Sequence, residues 1–182
     1  MTQPDVKIRE SVEADIPRIT QIYGQSVIEG VASFELTRPD AKEMARRRQQ
    51  TLDKGLPYLV AEIDGKVIGY AYAGLFRPRP AYGCTVENTV YIDPQAQRRG
   101  VGSQLTKKII EECTSQGYRQ MIAVISGTED SASIKMHRAL GFTDAGRNRA
   151  VGYKHGRWID TFCLQLSLGD GDTSPPDMTL VS

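Results

Sequence analysis

The sequence predicts an α/β protein of the mixed, α+β type, and three observations carry that prediction. Stretches of helical period alternate with short apolar stretches of strand period. In "PYLVAEIDGKVIGYAYAG" two strands meet at Asp64-Gly65, a turn pair that favours an antiparallel hairpin. "CTVENTVYI" and "MIAVI" are separated by a helical stretch, and such a strand, helix, strand crossover makes a parallel pair.

The elements follow in order. A short strand over 6–9 leads to a helix that Ser11 can cap, with Glu13 and Asp15 in its first turn and Pro17 tolerated there. Ile16, Ile19, Tyr23 and Val27 form its apolar stripe. "GVASFELTRPD" breaks that pattern, and a more polar helix over 40–54 stops near Gly55. After the hairpin, "FRPRPAY" is too rich in proline and arginine for a strand. In the strand that follows, Val86, Val90 and Ile92 alternate with Thr85, Glu87, Thr89 and Tyr91, so one face is core and the other chemically equipped. The crossover helix carries Val101, Leu105, Ile109 and Cys113 on one stripe and stops at Gly117; "MIAVI" is wholly apolar and therefore central. A further helix runs from Asp130 to the stop at Gly141, and strands over 142–152 and 157–166 complete the pattern. "GDGDTSPPDMTLVS" has no periodicity and reads as disordered, giving a single domain over 1–166 and a tail over 167–182.

Composition narrows the function. The 182 residues include 23 basic and 22 acidic ones, and a net charge of +1 argues against a general nucleic-acid binder. Cys84, Cys113 and Cys163 are widely spaced, with no neighbouring histidines or CxxC, so neither a metal site nor a disulfide framework is expected. They read as free thiols of a cytoplasmic protein. No run approaches the roughly 20 apolar residues that cross a bilayer, and "MTQPDVKIRE" lacks the apolar core of a signal peptide, so no membrane association is expected.

The junction "YIDPQAQRRGVGSQL" runs from a strand into a helix N-terminus, where unpaired amides and the helix dipole favour an anion. Gly100 and Gly102 would allow close approach, and Arg98 and Arg99 add charge. A tight turn with solvated arginines fits the same residues. The P-loop pattern and the GxGxxG dinucleotide pattern are both missing.

"QRRGVG", directly after "VYIDP" and upstream of a helix ending in "HRALGF", resembles the coenzyme A pyrophosphate loop (Q/R-x-x-G-x-G/A) of the GNAT N-acetyltransferase superfamily. More narrowly, "FRPRPAYGCTVENTVYIDPQAQRRGVGSQL", "HRALGF" and "VGYKHGRWIDTFCLQL" resemble phosphinothricin acetyltransferases and the related methionine sulfone or sulfoximine acetyltransferases. The resemblance implies a mixed, mostly antiparallel sheet of about seven strands flanked by about four helices, splayed between its two central parallel strands. It also implies acetyl-CoA as cosubstrate, no metal, a small-molecule amine acceptor and a homodimer. The pyrophosphate is expected on the amides of 98–103, including Arg98, Arg99, Gly100, Val101, Gly102 and Ser103. The pantetheine arm is expected along Val90, Tyr91 and Ile92, by the logic of strand addition.

Acetyl transfer to an amine needs a neutral amine, a polarised thioester carbonyl and a proton for the departing thiolate. A backbone N–H near 90–92 suits the developing oxyanion. Glu87, on the polar face of its strand, suits a base or base relay; it suits equally a residue that binds the substrate ammonium. The family's "TVE" motif places a glutamate here. His137 lies in an apolar stripe with Ile134 and Leu140, the setting of a core histidine, while the family resemblance makes it a candidate acid for the thiolate. Asp130 stands where many relatives have a cofactor-contacting asparagine; aspartate can cap but lacks the amide donor, leaving the contact to backbone or Ser133. Substrate selection is expected at Phe76, Arg77, Pro78, Thr85, Val86 and Glu87, with Arg77 matching the family's "WRP" arginine and suited to a carboxylate. Arg77 and Arg79 also fit as solvated loop arginines. Trp158 reads as packing or a dimer contact, and Lys154 and His155 as structural or interface residues.

The leading expectation is direct acetyl transfer in a ternary complex to an amino-acid-like acceptor. The alternatives are a polyamine, an aminoglycoside or a protein N-terminus as acceptor, and a non-catalytic acyl-CoA-binding module.

Overall fold

A computed structural model of the chain describes residues 6–181. Its strands are β1 (Lys7–Glu10), β2 (Tyr58–Ile63), β3 (Lys66–Leu75), β4 (Thr85–Ile92), β5 (Gln120–Gly127), β6 (Thr143–Lys154) and β7 (Arg157–Ser167). Its α-helices are α1 (Ile16–Glu29), α2 (Ala41–Leu52), α3 (Val101–Ser115) and α4 (Ala132–Ala139). The strands form one sheet in the order β1-β2-β3-β4-β5-β7-β6. Only β4 and β5 run parallel; every other neighbouring pair is antiparallel.

Two cores sandwich this sheet. On one face Ile16, Ile19, Ile22, Tyr23 and Val27 of α1 and Met44 of α2 meet Tyr58, Val60, Val67 and Tyr70. On the other, Val101, Leu105, Ile109 and Cys113 of α3 meet Leu59, Ala61, Ala71, Ala73 and Val86. The stripes predicted for α1 and α3 are buried throughout. Asp64 and Gly65 both adopt left-handed backbone (φ 50° and 75°), the geometry of the β2–β3 hairpin turn; His155 and Gly156 repeat it between β6 and β7.

Three local expectations change. Ser11 caps no helix: its hydroxyl accepts from Arg48 Nε at 2.7 Å, and Asp15 occupies the α1 N-cap position. The last helix begins later than Asp130, with Ser131 as N-cap accepting from the Ile134 amide. Residues 167–181, read as a disordered tail, run along the body of the domain. Leu168 is buried, Leu180 packs on the α3-side core, and Arg119 donates to the Gly171 carbonyl at 2.8 Å. Isolated apolar residues in a polar, glycine-rich run leave no period, so their burial is invisible locally. Residues 1–5 and Ser182 lie outside the described residues.

Candidate active site

β4 and β5 pair only from Thr85↔Gln120 through Glu87↔Ile122. Beyond Glu87 each strand stays bonded to its outer neighbour, β4 to β3 as far as Ile92 and β5 to β7 as far as Gly127. The facing edges from Asn88 and Ala123 onward therefore part. A cleft of about 800 Å³ opens between them and extends from the N-terminus of α3 to the segment after α1. A parted parallel pair leaves ladder groups available to an amide-bearing ligand.

At the α3 end, Arg98 (φ 59°) and Gly100 (φ 75°) are left-handed, and Gly100 is the N-cap. Holding a non-glycine residue such as Arg98 there costs on the order of 1 kcal/mol. The first intrahelical bond of α3 runs from Gln104 N–H to Gly100 O at 3.1 Å, so the amides of Val101, Gly102 and Ser103 precede it. All three residues line the cleft with Arg98 and Gly100. The two glycines differ. A Cβ on Gly100 would meet nothing within 4 Å, whereas one on Gly102 would lie 3.1 Å from Met136 Sδ. Gly102 therefore also makes room for the contact of α3 with α4, beside its place in the cleft lining.

Glu87 sits half-buried on the cleft wall, where the two strands part. It makes no hydrogen bond or ion pair among the described residues. Burial pushes its carboxyl above the ordinary value, opposed by the charge of Arg77. A buried carboxylate without a fixed partner can exchange a proton with a ligand.

His137 is 2% exposed. Its Nδ1 lies 2.8 Å from the Ser133 carbonyl, which can only accept, so Nδ1 carries the proton. Nε2 then accepts from Asn88 Nδ2 at 3.0 Å. Burial lowers the imidazole pKa, with the bond to the Ser133 carbonyl opposing. The ring is thus neutral and neither nitrogen presents a proton to the cleft. In this arrangement His137 holds Asn88, whose own Oδ1 is buried at the cleft wall with no protein partner among the described residues.

Val90, Tyr91, Ile92 and Ser133 line the cleft. Arg99, Asp130, Phe76, Arg77, Pro78, Thr85 and Val86 do not. Val86 is fully buried in the α3-side core, a consequence of its place in the strand alternation. The Asp130 carboxylate accepts from Thr128 Oγ1 at 2.7 Å. Arg77 is exposed on the loop after β3, with its guanidinium 5.0 Å from the centre of the Phe76 ring and its charge acting on Glu87 and Cys163. Sequence reasoning missed Asn88; it expected the loops near 30–38 and 76–83 to shape the acceptor pocket without singling out Val31, Ala32 and Phe34, which line the cleft from the first of them. Asn88 had a signal: it is the one polar residue at a core-facing position in the β4 alternation. Among the described residues no group of three or more His, Cys, Asp or Glu could hold a metal, and no helix is long and apolar enough to cross a membrane.

A sheet parted between its parallel strands, with a glycine-capped helix at one end of the gap and a partnerless glutamate on its wall, defines an acyltransferase cleft. Residues 8–163 match the acetyltransferase (GNAT) domain model, and the chain belongs to that family of N-acetyltransferases. It is 48% identical to the phosphinothricin N-acetyltransferase of Alcaligenes faecalis, over 93% of this chain and 86% of that one. It is 36% identical to the L-methionine sulfoximine/L-methionine sulfone acetyltransferase of Pseudomonas aeruginosa, over 92% and 98% respectively. The structure superposes with a TM-score of 0.92 on a phosphinothricin acetyltransferase from Sinorhizobium meliloti in complex with AcCoA, at 46% identity, covering 94% of this chain and 93% of that one.

Proposed function

We propose that this enzyme transfers acetyl from acetyl-CoA to the α-amino group of a small amino-acid-like acceptor, of the phosphinothricin, methionine sulfone or methionine sulfoximine type. The observation that carries this reading is Glu87: a half-buried carboxylate with a raised pKa and no fixed partner, placed where the strands part. The names of the relatives point to the same acceptor class.

The chemistry follows from the residues. The amides of 101–103 and the charge of Arg98 suit the pyrophosphate, and the free edge of β4 over Val90, Tyr91 and Ile92 suits the pantetheine amides. A backbone N–H on that edge suits the oxyanion as the amine attacks the thioester carbonyl. Glu87 takes the proton of the acceptor ammonium, so that the nucleophile is neutral. Arg77, exposed on the neighbouring loop, supplies forked donors for an acceptor carboxylate. Because His137 accepts through Nε2, it orients Asn88 rather than protonating the thiolate.

Direct transfer in a ternary complex is supported by the thiols. Burial raises Cys84 and Cys163 and pushes Cys113 up to about 12, so none is prepared as a thiolate nucleophile. A homodimer is supported by the β6–β7 half of the sheet, where Trp158 is 66% exposed beside Tyr153 and Val151. A cytoplasmic setting accords with three free thiols.

The test is release of free thiol from acetyl-CoA against a panel holding phosphinothricin, methionine sulfone, methionine sulfoximine, ordinary amino acids and polyamines. Turnover is expected with the first three. Turnover with polyamines alone would overturn the acceptor class.

A further inference from the structure

Among the described residues the segment joining α1 to α2 has no strand partner, yet its carbonyls are held one after another from β5 and the β6–β7 turn. His155 Nε2 donates to Gly30 O at 3.2 Å, from the β6–β7 turn. Ser126 Oγ, on β5, donates to Val31 O at 2.5 Å. Lys154 Nζ, at the end of β6, donates to Ser33 O at 2.6 Å. Between and beside these grips, Val31, Ala32 and Phe34 line the cleft.

Lys154 is the unusual member. It is 5% exposed, has no carboxylate within ion-pairing distance among the described residues, and Ser33 O is its one hydrogen-bond partner there. Burial lowers the pKa of this ammonium, and the charge of Glu35, which makes no ion pair with it, opposes that only in part; a methionine of similar length would fill the space at less cost. What the lysine provides and methionine cannot is a donor for that carbonyl. Two residues earlier, and so on the same face of β6, Gly152 leaves room for a ring. A Cβ there would come within 2.4 Å of Phe34 Cζ, and the φ of Gly152 is not one that requires glycine. The end of β6 thus combines a notch for Phe34 with a hook on the residue before it. From the other side, the Ser33 hydroxyl bonds Tyr23, Tyr23 donates to Glu35, and Glu35 pairs with Arg47 of α2 at 2.6 Å.

We propose that Lys154 is a positioning residue for acceptor selection: through Ser33 O it fixes the height of Phe34 in the cleft wall, with Gly152 as the seat of the ring. This rests on the reading of the cleft as an amino-acid acetylation site. Ser126 and His155 hold the preceding carbonyls, so the hinge left to the segment is short, and loss of the lysine is felt at the wall rather than at α3.

Two variants approach the same wall differently. Lys154→Met removes the donor, and Gly152→Ala pushes the ring from its seat. Each is assayed with phosphinothricin and methionine sulfone for KM and kcat, by calorimetry for acetyl-CoA affinity, and by amide hydrogen exchange over 30–35. In both, acceptor KM is expected to rise about ten-fold, for Lys154→Met the scale of one unsatisfied buried acceptor and for Gly152→Ala through the displaced ring, with acetyl-CoA affinity held within about two-fold and exchange over 30–35 accelerated. Unchanged acceptor KM in the folded variants overturns the proposal, as does acetyl-CoA affinity lost in the same proportion as acceptor affinity. If Lys154→Met does not fold, Gly152→Ala decides alone. If the wild-type enzyme acetylates neither compound, the proposed function fails, and exchange, which needs no acceptor, still decides the clamp: unchanged exchange over 30–35 overturns it.

Discussion

The α3 end of the cleft is made of backbone, whereas the α1–α2 end is made of side chains that reach across the sheet. At the first, two left-handed residues, Arg98 and Gly100, turn the chain so that the early amides of α3 line the gap, and every part lies within a few residues of sequence. At the second, Gly30, Val31 and Ser33 are held by His155, Ser126 and Lys154. Under the proposed function the two ends divide the work. A phosphate group is the same for every reaction and suits a backbone site that few side-chain changes alter. An acceptor varies, and a wall hung on three separable side-chain bonds can be retuned one residue at a time.

Glu87 lies where β4 and β5 part, and its removal has the largest expected effect. Glu87→Gln should lower kcat by about 10²-fold or more, the scale of a general base. The sign of the pH effect follows from burial. Activity requires the carboxylate, burial raises its pKa, and so the rate should fall with acid above the ordinary glutamate range. Glu87→Gln should flatten that limb. A risen acceptor KM with unchanged kcat would instead make Glu87 a binding residue.

A crossed pair of variants sharpens the comparison. Arg77→Ala should raise acceptor KM about ten-fold, as for a lost charge-assisted contact, and leave acetyl-CoA affinity alone. Gly100→Ala should do the reverse. Its Cβ has open space but its backbone is left-handed, so the strain of about 1 kcal/mol falls on the turn that presents the amides. Acetyl-CoA affinity should drop several-fold, by about 1 kcal/mol at most. If both variants alter both ligands equally, the two ends are not independent.

The smallest effect on rate is expected at His137. Its bonds are internal: Nδ1 donates to Ser133 O, with Ser133 Oγ also at 3.5 Å, and Nε2 accepts from Asn88. His137→Ala should therefore lower unfolding stability by about 2 kcal/mol or more, by emptying a buried site, while kcat falls less than about ten-fold. A loss of about 10²-fold in kcat with little change in Tm would restore the thiolate-acid role.

Much of this arrangement was legible in the sequence, for reasons that differ by residue. Asp64-Gly65 announced a hairpin because its turn type needs left-handed residues. The α1 and α3 stripes were legible because a helix buries one face at a fixed period, and Glu87 because strand alternation put it opposite Val86. Gly102 was legible as part of the junction, but a second reason for it was not: only the position of Met136 shows that its missing Cβ also serves packing. Asn88 broke the alternation in plain view, yet its meaning depends on a histidine 49 positions away.

What the sequence determined by itself, then, is whatever depends on neighbours along the chain: turn conformations, the faces of helices and strands, the crossover that makes β4 and β5 parallel, and the glycine-capped start of α3. Tertiary structure alone decided where β4 and β5 part, that Leu168 and Leu180 bring residues 168–181 onto the body, that Glu87 has no partner among the described residues, and that Lys154 reaches Ser33. The physical reason is range. Backbone torsions and periodic burial are set within a few residues, whereas desolvation, pKa shifts and the pairing of a buried donor with its acceptor depend on atoms that only folding brings together.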